Sequence, residues 1–318
     1  MLSMNIILTG SLSIDQIMIF DGKFEDLIQP DKLRVLSVSP LVQQFRRTRG
    51  GIAGNIAYNL ALLGEKSALL CSIGKESHDY MNELKKLGVD TSHMHFSQTP
   101  TGTFSALTDQ NDCQVGGFYP GAMGDAKTLS FVPFADTDTL AMISAHEPKQ
   151  MNVQVHECVK NSIPYCYDPS HQITAFTKSE ILYGVSHAEI VFVNDYELGL
   201  LEKATKLTTQ ALLQMIKVCV VTLGEKGSFV YEQREDNRLH IPAVKIEKLI
   251  DPTGAGDAFR AGFLYGYIRQ WPLERCAQLG SVVAAYACEK HGTQEHTFSR
   301  GNVNKRFEQT YKTKLNLK

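Results

Sequence analysis

The chain has 318 residues, of which 43% are hydrophobic and 21% are charged. This balance excludes a disordered or collagen-like chain and a small disulfide framework, and the length is sufficient for a large buried core. The 32 Lys and Arg residues nearly cancel the 34 Asp and Glu residues, which leaves a formal net charge of −2. The composition therefore argues against nucleic acid or a membrane surface as a partner, and leaves a small-molecule ligand open.

Other features of the composition favour a cytoplasmic location. The seven cysteines include no C-x-x-C pair, so we expect them to be reduced, buried thiols. The first residues lack the basic and apolar regions of a secretory signal peptide, and no apolar run approaches membrane-spanning length. The ten histidines show no spacing that is typical of a zinc site.

The first part of the chain predicts one buried strand and two stretches rich in short strands. Residues 5–9 form a short apolar run that is typical of a buried strand. The stretches 15–50 and 93–120 contain β-branched or aromatic runs separated by Gly, Pro, Asp and Asn, which is typical of antiparallel hairpins. We expect them to form a small sheet that serves as a lid. Between them, a helix is predicted to end at Gly64 and a strand to occupy 67–73.

From residue 139 onward, predicted strands and helices alternate, which indicates βαβ units. The expected fold class is α/β, with a central, mostly parallel sheet flanked by helices and a small β-sheet lid, in a single domain over 1–318. The predicted strands are 140–143, 164–167, 189–193, 217–222, 228–232 and 239–241, and the predicted helices are 150–160, 178–183, 257–269, 273–288 and 299–311.

The segment Asp-Pro-Thr-Gly-Ala-Gly-Asp-Ala-Phe, 251–259, carries the clearest chemistry. Gly254, Ala255 and Gly256 precede a predicted helix, so their N–H groups can converge on an anion that the helix dipole also attracts. Asp257 places a carboxylate beside the same point, where it can accept the proton of an attacking hydroxyl during phosphoryl transfer. The alternative is an ordinary helix start, in which Asp257 only favours the dipole.

The segment Arg-Gly-Gly-Ile-Ala-Gly-Asn, 49–55, is a second candidate. Gly51 allows a ligand to approach the backbone, and Asn55 offers a donor and an acceptor to a sugar hydroxyl, although Asn is equally suited to cap a helix. Ser11 and Asp15 add a hydroxyl and a carboxylate, and a carboxylate suits the neighbouring hydroxyls of a sugar ring. Asp15 is also compatible with a simple role at the start of a lid strand.

These segments and their order resemble the ribokinase family of carbohydrate and nucleoside kinases, also called the PfkB family. Residues 50–55 match its first signature, and residues 251–257 match its second, with Asp257 at the position of the catalytic base. Asn194-Asp195-Tyr196-Glu197 resembles the N-x-x-E motif of the family, and residues 221–227 resemble its nucleotide-binding strand and loop. The resemblance implies that ATP contacts Asn194, Thr222, Gly224 and Gly227, and that Asn194 and Glu197 organise Mg²⁺ through water.

Within the family, the run Phe-Tyr-Pro-Gly-Ala-Met at 118–123 and Asp-Pro-Ser at 168–170 resemble the bacterial adenosine kinases. This likeness implies transfer of the γ-phosphoryl group of ATP to the 5′-hydroxyl of adenosine, in purine salvage. A monovalent cation such as K⁺ is also implied, although the sequence does not place it. The implied substrate contacts are Ser11, Asp15, Gly51 and Asn55 at the ribose, Phe104 and Phe118 at the adenine, and Gln172 facing the nucleoside.

The two phenylalanines help to separate the possible substrates. Purine faces stack on aromatic rings, whereas a plain sugar has no such face, so Phe104 and Phe118 favour a nucleoside. They are equally compatible with a small lid core. The alternatives to an adenosine kinase are a sugar kinase that acts on ribose, fructose or a related sugar, and a nucleoside sensor without catalysis. An exposed lid face further suggests a homodimer through the lid.

Overall fold

The structure is a computed structural model, and it describes residues 4–28, 30–35, 37–111, 113–135, 137–233 and 238–317. The strands, in chain order, are β1 (Asn5–Thr9), β2 (Ser13–Phe20), β3 (Val42–Gly50), β4 (Ser67–Leu69), β5 (Ser72–Gly74), β6 (His95–Ser97), β7 (Gly102–Thr108), β8 (Gln114–Tyr119), β9 (Thr139–Ser144), β10 (Tyr165–Asp168), β11 (Ile190–Asn194), β12 (Val218–Thr222), β13 (Ser228–Glu232) and β14 (Arg238–Ile241).

The α-helices are α1 (Phe24–Leu27), α2 (Ile52–Leu62), α3 (His78–Lys86), α4 (Pro148–Lys160), α5 (Lys178–Ser186), α6 (Asp195–Thr205), α7 (Thr209–Leu213), α8 (Ala255–Tyr267), α9 (Leu273–Cys288) and α10 (Arg300–Tyr311). Short 3₁₀ segments occur at Pro30–Val35, Lys75–Ser77, Gly121–Thr128, Val132–Phe134, Ser170–Ala175 and Gly224–Lys226. Within the helices that the structure describes, none is long and apolar enough to cross a bilayer.

The larger sheet has the strand order β14-β13-β12-β11-β10-β9-β1-β4. Its strands are parallel from β12 through β4, and the pairs β12–β13 and β13–β14 are antiparallel. The predicted central, mostly parallel sheet flanked by helices is therefore confirmed. Because parallel strands point the same way, the C-terminal ends of β1, β9, β10, β11 and β12 lie along one edge of this sheet.

Both faces of the larger sheet are covered, which explains its continuous apolar strands. In β1, Ile6 and Leu8 belong to the core cluster that includes residues of α2, α8 and α9, whereas Ile7 belongs to the cluster that includes residues of α4 and α5. Side chains alternate between the faces of a strand, so a strand buried on both sides needs an apolar residue at every position. The helices α8 and α9 approach closely at Gly262, where a Cβ would lie 2.8 Å from the Cα of Gly280.

The smaller sheet has the order β3-β2-β7-β8. Each stretch forms an antiparallel pair, β2 with β3 and β7 with β8, so the expected hairpins in one small sheet are confirmed. The two pairs are joined by β2 and β7, which run parallel. The chain returns to the sheet through α2 and α3 before it enters β7, and such a long crossover permits parallel pairing. Below, this sheet is called the lid sheet.

Two expectations differ from the structure. The predicted strand at 67–73 is divided: β4 pairs with β1, whereas β5 pairs with β6 outside the lid sheet. Of the cysteines, Cys113 is exposed and Cys288 is partly exposed, so the expectation that all the thiols are buried is wrong for these two. The remaining cysteines are buried, and all seven are free thiols.

Candidate active site

Polar side chains collect where the parallel strands end. Ser11 follows β1, Asp168 ends β10, Asn194 ends β11 and Thr222 ends β12. The start of α8 reaches the same region, because Arg260 of this helix forms an ion pair with Asp168. The carboxyl edge of an open α/β sheet is the usual place for a ligand. The structure therefore brings together residues that are far apart in the sequence.

Asp257 lies in the first turn of α8 and is only 8% exposed. Its Oδ2 accepts a hydrogen bond of 2.8 Å from Nδ2 of Asn55. Burial raises the pKa of Asp257, while Arg260 and the Asn55 hydrogen bond oppose that rise. The side chain is directed into the protein, which is not the position of a surface carboxylate that merely favours a helix dipole. A buried acid with a raised pKa is suited to receive a proton.

The loop before α8 has a fixed shape. Gly254 has a φ of +77°, and a Cβ at this position would lie 2.9 Å from the Cβ of Thr293, so the site requires glycine. The carboxylate of Asp251 accepts hydrogen bonds from the amides of Thr253 (2.9 Å) and Gly292 (3.0 Å), which ties the loop to the segment after α9.

The predicted anion-binding amides differ in their hydrogen bonding. The amide of Ala255 donates to the carbonyl of Pro252 at 3.2 Å, and that of Ala258 donates to Gly254 at 2.9 Å as the first bond of the helix. The amide of Gly256 lies between them in the first turn, where N–H groups have no partner within the helix. In this conformation, the amide of Gly256 is therefore freer than that of Ala255 to donate a hydrogen bond to an anion.

Arg260, which the sequence analysis missed, neutralises part of this acidic site. Its Nε lies 2.8 Å from Oδ2 of Asp168, and its Nη1 lies 3.9 Å from Oδ1 of Asp257. Asp168 is fully buried, and burial raises its pKa to about 7 although Arg260 lowers it. An arginine three residues after Asp257, inside an otherwise apolar helix, is the signal that could have identified it.

Ser11 and Gly51 shape the start of α2. The hydroxyl oxygen of Ser11 accepts a 3.0 Å hydrogen bond from the amide of Ile52, and its carbonyl accepts from the amide of Ala53 at 3.2 Å. Gly51 has a φ of +92°, and a Cβ there would lie 2.5 Å from the Ser11 carbonyl oxygen. Because the Ser11 oxygen accepts from the backbone, its hydroxyl hydrogen remains available to a ligand.

Asn55 does not cap α2. The N-cap position belongs to Gly51, and Asn55 lies within the helix with an exposed fraction of 3%. Its amide group donates to Asp257, and its Oδ1 accepts from Nε2 of Gln294 at 2.9 Å. The capping alternative is therefore wrong, and Asn55 connects the first glycine-rich segment to the second.

Asp15 lies in a row of side chains across the lid sheet. It pairs with Thr48 of β3 and with Phe104 of β7, and Phe104 pairs with Phe118 of β8. Residues paired directly across neighbouring strands share one face, so these side chains lie on the same face. That face is directed to the loops around α8, because a Cβ built on Gly292 would lie 3.2 Å from Cγ2 of Thr48.

The side chain of Asp15 is partly shielded from solvent. Burial raises its pKa to about 6, the hydrogen bond from Ser13 lowers it, and the charge of Asp251 raises it further. The Ser13 hydroxyl lies 3.5 Å from Oδ1 of Asp15, at the long limit for a hydrogen bond. Asp15 is inside β2, which begins at Ser13, so it is not the residue that opens this strand.

The two phenylalanines are not enclosed in a lid core. Phe118 is 48% exposed and Phe104 is partly buried. Gly116 lies against the Phe104 ring, since a Cβ there would be 2.9 Å from Cζ. An exposed aromatic ring on the same face as the Asp15 carboxylate is available to a ligand rather than committed to packing.

Gln172 lies in the 3₁₀ segment after β10. Its Nε2 donates a 2.8 Å hydrogen bond to the carbonyl oxygen of His146, just beyond the end of β9. This bond fixes the direction of the amide, so Oε1 is the atom that can accept from a ligand.

Asn194 and Glu197 form a reciprocal cap at the start of α6. The Glu197 amide donates to Oδ1 of Asn194 at 2.7 Å, and the Asn194 amide donates to Oε2 of Glu197 at 2.8 Å. Oε1 of Glu197 also accepts from the Ser170 hydroxyl at 3.0 Å. These oxygens are already engaged, so the pair fits Mg²⁺ held through water better than direct coordination. Among the described residues, no group of three or more His, Cys, Asp or Glu side chains has a metal-binding arrangement.

Thr222, Gly224 and Gly227 lie at and just beyond the end of β12. The Thr222 hydroxyl lies 3.5 Å from the carbonyl oxygen of Val193. Gly224 has a φ of +59° and open space around its Cα, whereas a Cβ on Gly227 would lie 2.0 Å from the Ile241 carbonyl oxygen. Gly227 is therefore needed for packing, and Gly224 leaves room beside the sheet edge.

Comparison with known proteins identifies the family. The model of the pfkB family of carbohydrate kinases matches residues 14–299. The chain belongs to this family. The family resemblance stated from the motifs is thus confirmed, as is the ribokinase-like α/β fold with its small separate sheet.

Several proteins are similar to the chain in sequence or in fold. A nucleoside kinase of Methanocaldococcus jannaschii is 30% identical over 268 residues, covering 83% of this chain and 86% of that protein. A cytidine kinase of Thermococcus kodakarensis is 28% identical, covering 88% and 98%. A nucleoside kinase of Burkholderia thailandensis in complex with inosine superposes with a TM-score of 0.87 at 28% identity, covering 98% of this chain and 100% of that one.

Proposed function

We propose that the chain transfers the γ-phosphoryl group of ATP to the 5′-hydroxyl of a nucleoside, and that adenosine is its substrate in cytoplasmic purine salvage. One observation carries the proposal. The buried carboxylate of Asp257, at the start of α8, is hydrogen-bonded to Asn55 of the first glycine-rich segment. A proton acceptor, an anion-binding helix start and a candidate sugar-binding residue thus converge on one place.

In the proposed reaction, Asp257 receives the proton of the 5′-hydroxyl. The hydroxyl oxygen forms a bond to the γ-phosphorus, the bond between that phosphorus and the bridging oxygen breaks, and the electron pair leaves with ADP. The amides of Gly254, Ala255 and Gly256 stabilise the developing charge, with Gly256 the least committed to other bonds. Arg260 limits the repulsion between Asp257 and the phosphates.

The nucleotide side of the site is assigned to the edge beyond β11 and β12. Thr222, Gly224 and Gly227 would lie along ATP, with the open space at Gly224 facing the phosphates. Asn194 and Glu197 would hold Mg²⁺ through water, and this ion, when bound, supplies positive charge that offsets the charge of the phosphate oxygens.

The nucleoside side is assigned to the lid sheet and to the start of α2. The carboxylate of Asp15 and the free hydroxyl hydrogen of Ser11 would bind the ribose hydroxyls, close to the backbone of Gly51 and to Asn55. Phe104 and Phe118 would stack on the purine, and Oε1 of Gln172 would accept from the base. Closure of the lid sheet over the substrate would exclude water, which otherwise competes for the phosphoryl group.

The relatives support a nucleoside rather than a free sugar. The two relatives named above at 28% and 30% identity over most of the chain are a cytidine kinase and a nucleoside kinase. One of the related structures contains inosine together with ADP. The exposed Phe118 favours a base that can stack on it. The acceptor oxygen of Gln172 favours adenosine over inosine, because it is complementary to an exocyclic amino group.

The outer face of the lid sheet supports a homodimer. Phe45, Met18, Leu107 and Val115 form a row on the face opposite Asp15, because they pair directly across neighbouring strands. Phe45 and Val115 are each 59% exposed. A second copy of the lid sheet is the occupant that such an apolar row would match.

A substrate panel tests the proposal. The purified chain is incubated with ATP and Mg²⁺, together with adenosine, inosine, cytidine, ribose or fructose, and ADP release is measured. We expect the highest kcat/KM with adenosine. Turnover of free sugars without turnover of nucleosides would make the chain a sugar kinase, and nucleoside binding without ADP release would make it a sensor.

A further inference from the structure

Side chains from separate parts of the chain form one continuous series of hydrogen bonds that ends on Asp257. The hydroxyl of Tyr80 in α3 donates to the carbonyl of Gly50 at 2.8 Å. Nε2 of Gln294 donates to the Tyr80 oxygen at 2.6 Å and to Oδ1 of Asn55 at 2.9 Å. Nδ2 of Asn55 donates to Asp257 at 2.8 Å. Tyr80, Gln294 and Asn55 are each 3% exposed.

The direction of every bond in this series follows from its first bond, between Tyr80 and the Gly50 carbonyl. A backbone carbonyl can only accept, so Tyr80 must donate to Gly50 and its oxygen must accept from Gln294. The second N–H of the Gln294 amide then meets the Asn55 oxygen, which leaves the Asn55 NH₂ group facing Asp257. A reversed Asn55 amide would place its oxygen against the carboxylate and its NH₂ against another NH₂ group.

The series therefore favours an ionised Asp257. An ionised carboxylate only accepts, which matches the NH₂ group that Asn55 presents, and a hydrogen bond to the charged form opposes the effect of burial. Proton acceptance requires this ionised form before the reaction.

The first glycine-rich segment is shaped around Tyr80. A Cβ on Gly54 would lie 1.9 Å from the Tyr80 oxygen, so any side chain at this position would displace the hydroxyl. The Gly50 carbonyl that receives the hydroxyl hydrogen ends β3 of the lid sheet. The same series thus joins the lid sheet to the acid in α8.

A nearby hydrogen bond offers a comparison. Tyr58 in α2 donates to the carbonyl of His296 at 2.6 Å and is 8% exposed. Its setting matches that of Tyr80, because a buried phenol donates to a backbone carbonyl beside α2. The bond from Tyr58 to His296, however, is not one of the bonds in the series from Gly50 to Asp257.

We infer that Tyr80 and Gln294 are positioning residues, which fix the amide of Asn55 and thereby hold Asp257 ionised and oriented for proton transfer. The inference rests on the proposed function, since it assigns the support of the proposed base. Neither residue touches the reacting atoms.

The test compares Gln294→Met, Tyr80→Phe and Tyr58→Phe. Gln294→Met removes both donated bonds at similar length, so we expect kcat to fall about 10-fold to 100-fold, as for the loss of a buried hydrogen bond. The KM for ATP should stay within about twofold. Tyr80→Phe removes the hydroxyl oxygen that accepts from Gln294 and leaves the bond from Gln294 to Asn55, so it should lower kcat about threefold to 10-fold. Tyr58→Phe should change kcat by less than about twofold.

A second measurement needs no turnover. The side-chain NH₂ signals of Asn55 are identified by comparing ¹⁵N spectra of the wild type with those of Asn55→Asp, and their hydrogen exchange is followed. We expect slow exchange in the wild type and in Tyr58→Phe, and exchange at least about 10-fold faster in Gln294→Met.

Wild-type kcat and slow exchange in Gln294→Met would overturn the inference, as would equal losses in Tyr58→Phe and Tyr80→Phe. The proposed function fails separately, if the wild type releases no ADP with nucleosides. In that case, the kcat values of the variants are compared with whichever sugar is turned over. If no sugar is turned over, the hydrogen exchange of the Asn55 NH₂ group alone tests the inference.

Discussion

Replacement of Asp15 by asparagine should make the protein more stable and a poorer binder of its nucleoside. Asp15 is partly buried in the lid sheet, and burial is the main reason that its pKa rises to about 6. Its Ser13 neighbour lies 3.5 Å away, which compensates little for the lost hydration. Asparagine has nearly the same shape without the charge.

The magnitude follows from linkage. The ordinary pKa of this group is 3.8 and the folded value is about 6, so the folded protein holds the proton more tightly than the unfolded chain. The contribution of Asp15 to the free energy of unfolding is therefore highest below pH 3.8 and declines as the pH rises through 6. At 1.36 kcal/mol for each factor of ten, the ionised group costs about 3 kcal/mol, and remaining contact with water reduces this to about 1 to 3 kcal/mol.

Urea unfolding of the wild type and of Asp15→Asn at pH 8 and at about pH 5 measures this difference. We expect the variant to gain about 1 to 3 kcal/mol in the free energy of unfolding at pH 8, and about half of that at pH 5. The nucleoside KM should rise about 10-fold to 100-fold, because a hydrogen bond to a charged group is lost, while the KM for ATP stays unchanged.

Asp26→Asn, at an exposed position in α1, is the matched control and should change stability by less than about 0.5 kcal/mol. If Asp15→Asn were destabilised at pH 8, or if its gain did not depend on pH, the assignment of a buried, weakly compensated carboxylate would be refuted.

The remaining predictions concern stacking, packing and charge. Phe118→Ala should weaken adenosine binding by about 1 to 3 kcal/mol and leave ATP binding unchanged in calorimetric titrations, and equal losses would contradict stacking. Gly54→Ala should reduce kcat at least about 10-fold through its clash with Tyr80, and adding Tyr80→Phe should restore part of the loss; no recovery would reject the steric explanation. Arg260→Gln should lower the free energy of unfolding by about 3 to 5 kcal/mol at pH 8, and by less at pH 5.5 where Asp168 is protonated; a loss independent of pH in urea unfolding would contradict the charge pairing.

The sequence predicts the elements whose local pattern matches their final environment. The strand 5–9 and the helix 273–288 have the predicted bounds, because apolar periodicity alone defines them. The helices α3 and α6 were missed. Each has a polar, exposed face, so the apolar periodicity is short. The parallel pairing of β2 with β7 depends on contacts between distant segments, which no local pattern encodes.

Individual residues of the site could be predicted from the sequence, but the hydrogen bonds between them could not. Glycine-rich turns before helices identified Asp257 and Asn55 as candidates, yet only the fold brings them within 2.8 Å of each other. Tyr80 could not be assigned from spacing, because an isolated tyrosine carries no sign of its partner. The position of Arg260 in an apolar helix could have identified the residue, but not its pairing with Asp168. Gln294 could not be assigned either, because no local pattern indicates that its amide faces Asn55.

The central claim is that Asp257 removes the proton from the nucleoside 5′-hydroxyl, and a single-turnover experiment on Asp257→Asn tests it most directly. The variant and the wild type are mixed with ATP, Mg²⁺ and adenosine under rapid quench, and adenosine affinity is measured separately by calorimetry. We predict that the rate of AMP formation falls about 10²-fold to 10⁴-fold while the Kd for adenosine changes by less than about threefold. A near wild-type rate of AMP formation would contradict the account.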